Sequence, residues 1–236
     1  MANKPTIVFF DIGDVLFNED VPHMWLFHTL FLSLRAHGKD IFWDDFNNKR
    51  IELAAAGPNP ESAIKATLAY YCANTSETET LWSSSRAKYG EMRKPRPYGL
   101  LLDGVTPVLQ ELKQEFRLGV IANQHPQVEE ALFNYGVGPL FDVIVISETV
   151  HLYKPDPAIF QYGLDKAGVL ASEAIFVGDR ADNDIYPAKS LGMRTIRFKR
   201  GVQYIHYNPE GPEFAADRVV TDVTDLTAAV RSVVYD

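Results

Sequence analysis

Two stretches of this 236-residue chain carry side chains able to do chemistry, and both end an apolar run in acid. The first is Phe9-Phe10-Asp11-Ile12-Gly13-Asp14; the second is Phe176-Val177-Gly178-Asp179-Arg180-Ala181-Asp182-Asn183-Asp184. A buried strand that delivers Asp11 to its C-terminal end places a nucleophile or metal ligand where open α/β sheets bind ligands. If the two strands are neighbours, Asp11, Asp14, Asp179, Asp182 and Asp184 gather at one sheet edge. Such crowding is unfavourable unless a cation or protons neutralise it. Hard carboxylates with few histidines favour Mg²⁺, which takes one or two protein carboxylates, waters and a substrate phosphate. Some of these acids equally suit helix capping, Asp182 or Asn183 in particular.

Two further residues complement the acids. Ile121-Ala122-Asn123 ends another apolar run with an amide able to donate to a phosphate oxygen, and equally able to form a turn before His125-Pro126. Lys154, in Tyr153-Lys154-Pro155-Asp156-Pro157, stands just before a helix N-terminus. Lysines at such points are commonly solvated, yet one reaching into an acidic, phosphate-binding site would offset charge and hold both nucleophile and substrate.

The elements that must position these groups follow from periodicity. Thr6–Phe10, Leu118–Ala122, Val143–Ile146, Ala174–Val177 and Arg194–Phe198 read as five short strands separated by amphipathic segments, the pattern of a parallel sheet covered on both faces. Val105, Val108, Leu109, Leu112 and Phe116 recur at helical spacing ahead of the second strand. Pro157 suits a helical first turn, and a last helix is expected over about Thr224–Val234.

Between Asn18 and Tyr98 the strand signal disappears. Trp25, Leu26, Leu30, Phe31 and Leu34 form an apolar helical face, and further helices are expected around Phe42–Ala56, Glu61–Ala73 and Thr78–Tyr89. Gly57-Pro58-Asn59-Pro60 and Asn74-Thr75-Ser76 punctuate them. A block of about 80 residues is too long for an ordinary connection between a strand and the next helix. The expected organisation is a core domain of residues 1–17 and 99–236 with a helical cap domain of 18–98, hinged near Phe17–Pro22 and Arg93–Gly99. Gly201–Phe214, with Tyr204, His206 and Tyr207, falls within the core bounds as a loop with no assigned role, suited to line either the site or an interface.

Composition narrows the class. Hydrophobic residues at 46% and charged residues at 23% suit a globular enzyme. A formal charge of −8 argues against a broad nucleic-acid surface. The single Cys72 cannot form an intrachain disulfide, so a reducing compartment is the simplest setting. No apolar run reaches membrane-spanning length and the N-terminus lacks a signal-peptide core, so a cytoplasmic protein, monomer or homodimer, is expected.

The ordered set Asp11, Asn123, Lys154, Asp179 and Asp184 resembles the four motifs of the haloacid dehalogenase superfamily, in its branch with a helical cap inserted after the first strand. That resemblance implies a Rossmann-like three-layer parallel sheet with strand order 5-4-1-2-3. It implies Asp11 as nucleophile, attacking phosphorus to give an aspartyl-phosphate that water hydrolyses. It implies Mg²⁺ held by Asp11, the Gly13 carbonyl and Asp179, with Asp184 in or next to the ligand set. Lys154 would neutralise charge on Asp11 and the phosphoryl oxygens, with Asn123 a further donor. The expected activity is Mg²⁺-dependent hydrolysis of a small phosphorylated metabolite.

The chain departs from the family pattern at two positions. Gly13 stands where the family commonly has a second aspartate, the acid–base group whose contribution is roughly 10²–10⁴-fold. Ala122 stands where Thr or Ser is usual. Gly13 leaves two alternatives open: a metal-free 2-haloacid dehalogenase, against which the Gly178-Asp179 loop argues, and a degenerate relative that binds a ligand or partner without turnover. Asp14, one residue further, could replace the missing acid only by turning inward. For substrate selection His23, Trp25 and His28, and Arg93, Lys94 and Arg96, are candidates, each equally explained as a core or surface residue.

Overall fold

The computed structural model of the chain describes residues 5–56, 60–93, 99–202 and 206–235. They form two compact units, Met1–Asn18 with Leu100–Arg200 and Pro209–Asp236, and Glu19–Gly99 with Gly201–Asn208.

The first unit contains β1 (Ile7–Phe10), β2 (Phe17–Asn18), β3 (Leu100–Leu101), β4 (Arg117–Ala122), β5 (Val143–Ile146), β6 (Ala174–Gly178), β7 (Arg194–Phe198) and β8 (Arg218–Val220). Six of these make one sheet in the order β5-β4-β1-β6-β7-β8, parallel throughout. The five expected strands take the expected order. The sheet runs one strand further, because β8 adds to the β7 edge. With three residues, of which only Val220 is buried, β8 is too short to give an alternation legible in sequence. Strands β2 and β3 form a separate antiparallel pair.

All four residues of β1 are buried, so both faces of the sheet centre are covered. Side chains alternate between faces along a strand. Ile7 and Phe9 accordingly join Ile121, Val145 and Phe176 in one cluster with Ile159, Phe160 and Leu164. The last three come from a helix, Pro157–Ala167, that starts on an Asp156 carboxylate accepting from the Ala158 N–H at 2.9 Å and ends on Gly168 at φ +68°. Gly163 lets that helix approach the sheet, since a Cβ there would lie 2.6 Å from Ile121 Cδ1.

The second unit is built on four helices, α1 (Asp20–Ala36), α2 (Trp43–Ala56), α3 (Pro60–Tyr71) and α4 (Thr75–Arg93). Leu26, Phe27, Leu30, Leu34, Phe46, Ile64, Leu68 and Leu81 make its core. The aromatic candidates on α1 belong to this packing. His23 stacks on Phe27, Trp25 lies against Tyr89, and His28 meets the edge of Trp43. Lys94, Arg96, Gly57-Pro58-Asn59 and Tyr204, together with the Arg93 side chain, lie outside the described residues.

Gly201–Asn208 groups with the helical unit rather than with the core, where its position after β7 had placed it. Val202 shows why: its N–H donates to Asp20 Oδ1 at 2.8 Å and its carbonyl accepts from Arg50 Nη1 at 3.1 Å. These partners stand 182 and 152 residues away. Among the described residues no helix is long and apolar enough to cross a membrane.

Candidate active site

Strands β1 and β6 are neighbours in parallel register, with Phe10 opposite Val177. The ladder continues one step past β1, where the Asp11 N–H donates to the Val177 carbonyl at 2.9 Å. The carboxylates that follow these two strands therefore emerge side by side. Asp184 reaches the same place from a wide π-type turn, Ala181–Ile185. Gly178 makes that possible, since a Cβ there would lie 2.4 Å from Asp184 Cβ. Asp11, Asp179 and Asp184 each offer a carboxylate oxygen within 4.8 Å of the others.

Lys154 brings one positive charge to the three acids. Its Nζ lies 2.7 Å from Asp11 Oδ1 and 2.6 Å from Asp184 Oδ1, with the side chain buried. The second Asp184 oxygen accepts from the Arg180 N–H at 3.0 Å. Arg197 Nε donates to the Asp179 main-chain carbonyl at 3.0 Å. Asp179 Oδ2 is buried and has no hydrogen-bond partner among the described residues.

The charge balance shows in the proton affinities. Burial pushes Asp11 up to about 6, with Lys154 opposing the rise and Asp184 adding to it. Burial also lifts Asp179 well above the carboxylate range, reinforced by Asp184, Asp11 and Asp14. For Lys154, burial disfavours the charged form, but Asp11 and Asp184 outweigh it and hold the ammonium above its ordinary value. One ammonium cannot neutralise three carboxylates, two of them buried and Asp11 partly so. An all-oxygen donor set with a buried, unpartnered carboxylate oxygen fits a hard divalent cation.

The first loop is held by its own backbone. Leu16 and Phe17 N–H groups donate to the Ile12 carbonyl at 2.8 and 2.9 Å, and the Asp14 N–H donates to the Phe17 carbonyl at 2.8 Å. Asp14 takes the left-handed conformation at φ +52°. Its side chain, 1% exposed, is ion-paired with Arg200, Nη1 to Oδ1 at 3.1 Å. Asp14 thus carries its own cation.

Asn123 follows β4 directly and closes on Lys154. Its amide donates to the Lys154 carbonyl and accepts from the Lys154 N–H, each at 2.8 Å. Asp182 is held by the Arg180 guanidinium, Nε at 3.1 Å and Nη2 at 2.9 Å, instead of capping a helix. Ala122, at the position where a hydroxyl residue is usual, is fully buried.

Three arginines of this region escape a reading of motifs: Arg180, Arg197 and Arg200. Arg197 did carry a signal. It is a charged residue inside the apolar strand Ile196-Arg197-Phe198, and it is buried. A buried arginine in a strand needs acceptors, and here one is the carbonyl of Asp179.

A family model described as haloacid dehalogenase-like hydrolase matches residues 48–198. Glyceraldehyde 3-phosphate phosphatase of Methanocaldococcus jannaschii is 37% identical over 130 residues, which cover 54% of this chain and 55% of that protein. The chain thus matches about half the length of that curated relative. Two solved structures share the fold over nearly all of both chains. A HAD phosphatase from Thermococcus onnurineus has a TM-score of 0.57 at 21% identity, covering 95% of this chain and 97% of its own. A 2-haloacid dehalogenase from Pseudomonas syringae has a TM-score of 0.57 at 22% identity, covering 97% and 98%. Phosphorus and carbon chemistry both occur on this fold, so the fold alone does not choose between them.

Proposed function

Given that the chain belongs to the haloacid dehalogenase-like hydrolases, we propose that it is a phosphomonoesterase for a small phosphorylated metabolite, using Asp11 as nucleophile and Mg²⁺ as cofactor. The observation that carries this reading is the cluster of Asp11, Asp179 and Asp184 around a single buried ammonium. A carbon-centred displacement needs no cation and has no use for so many uncompensated acids. The matched phosphatase relative supports the same class.

Asp11, the Gly13 carbonyl, Asp179 and Asp184 would hold Mg²⁺. When bound, the cation supplies charge neutralisation and orients the phosphoryl group. Asp11 attacks phosphorus through a carboxylate oxygen. The O–P bond forms as the bond from phosphorus to the leaving oxygen breaks, giving an aspartyl-phosphate. Lys154, 2.7 Å from Asp11, stabilises the negative charge that builds on the phosphoryl oxygens. Asn123 keeps the lysine in place through its main chain, and its remaining N–H is available to a phosphoryl oxygen. Water then cleaves the acyl phosphate and regenerates Asp11. Residue 13 has no side chain to protonate the leaving oxygen, so that proton comes from water. The helical unit serves as the cap that selects the substrate.

A phosphometabolite screen with Mg²⁺, run on wild type and Asp11→Asn, tests this reading. Phosphate release by wild type, lost in Asp11→Asn and in EDTA, is expected. Equal rates in the two proteins, or halide release from a haloacetate in EDTA, overturn it.

A further inference from the structure

Asp14 breaks two rules at once: it is a non-glycine residue in the left-handed region, and it is a carboxylate buried to 1% exposure whose charge acts on Asp179. Short polar side chains tolerate that backbone conformation better than most. The buried charge still has to be matched. The match comes from Arg200, beyond the end of β7 and 186 residues away in sequence. Arg200 is itself fixed: its N–H donates to the Phe198 carbonyl at 3.0 Å, and the preceding Lys199 N–H donates to the Val220 carbonyl at 2.8 Å. Asp14 stands next to Gly13, so its ion pair ties the nucleophile loop to the segment that follows β7, two strands from β1 in the sheet.

We propose that Arg200 is a positioning residue of the active site, acting through its buried ion pair with Asp14 to hold the Asp11–Asp14 loop and to cancel a fourth negative charge at the site. This rests on the phosphohydrolase reading for its kinetic consequences, but not for its structural ones. If Arg200 is neutralised while Asp14 stays, the site gains net negative charge. A phosphate dianion is then repelled, whereas a divalent cation is held more tightly. Loss of a purely structural contact would weaken both.

The experiment is a double-mutant cycle of Arg200→Gln, Asp14→Asn and the double variant, with Arg200→Lys as the conservative control. Isothermal calorimetry with Mg²⁺, thermal melting and steady-state kinetics are measured on each. In Arg200→Gln, KM is expected to rise about tenfold and kcat to change less, with the Mg²⁺ dissociation constant falling several-fold. The double variant should recover KM to within about threefold of wild type and regain most of the lost melting temperature. Arg200→Lys should resemble wild type. A double variant as impaired as Arg200→Gln, or weaker Mg²⁺ binding in Arg200→Gln, overturns the proposal. If wild type releases no phosphate from any substrate, the functional reading fails. The calorimetric and melting arms of the cycle then still decide the role of Arg200.

Discussion

The side-chain amide of Asn123 is fastened to the main chain of Lys154 by two hydrogen bonds of 2.8 Å, one donated and one accepted. The end of β4 is thereby joined to the loop that carries the ammonium, and Lys154 is delivered to Asp11 and Asp184 from a fixed backbone. Preorganisation of this kind matters because a charge held in place costs no reorganisation when the transition state forms.

Asn123→Ala leaves two main-chain groups of Lys154 without their partner. Stability is expected to fall by about 2 kcal/mol, and kcat/KM by at least about tenfold as the ammonium loosens. Urea denaturation and steady-state kinetics check both. If stability falls with kcat/KM unchanged, the clamp serves the fold alone.

Lys154→Met removes the one ammonium among three carboxylates while keeping an unbranched side chain. The variant should melt well below wild type in EDTA and recover much of the difference in Mg²⁺, since a ligand that binds only the folded state stabilises it. Phosphate release should fall by at least about 10³-fold. Equal Mg²⁺-induced shifts in the two proteins would contradict the charge balance.

The pH dependence of stability follows from Asp11 and Asp179, both raised in the folded chain, Asp11 from 3.8 to about 6. A carboxyl with a raised folded pKa binds more protons folded than unfolded. Stability is therefore lost as pH rises through the interval from the unfolded value to the folded one. In EDTA the chain should lose stability between about pH 4 and pH 6, and Mg²⁺ should flatten or reverse that slope. Melts across this range, with and without the cation, measure it directly.

Leaving-group dependence probes Gly13. With water as the proton source, aryl phosphates of acidic phenols should turn over much faster than alkyl phosphates. Gly13→Asp is expected to raise kcat on alkyl phosphates by about ten- to a hundredfold, with little change for the most acidic phenols. An unchanged leaving-group slope would show that the proton is supplied from elsewhere.

The sequence by itself determined where chemistry could begin. Apolar strands that stop at Asp11 and Gly178-Asp179, a lysine before a helix, and a helical block without strand signal are all local patterns, because periodicity reports which residues must be buried. What it does not report is which partner a buried polar group finds. That Lys154 sits between Asp11 and Asp184, that Asn123 holds Lys154, that Asp14 is matched by Arg200, and that Val202 belongs with the helical unit were decided only by tertiary structure. Each joins segments far apart in sequence, and each exists because a charge or main-chain group removed from water must be satisfied by whatever the fold brings beside it. Asp11 was legible as an acid at a strand end. Its surroundings, one ammonium among three carboxylates, follow from the packing of β1 against β6.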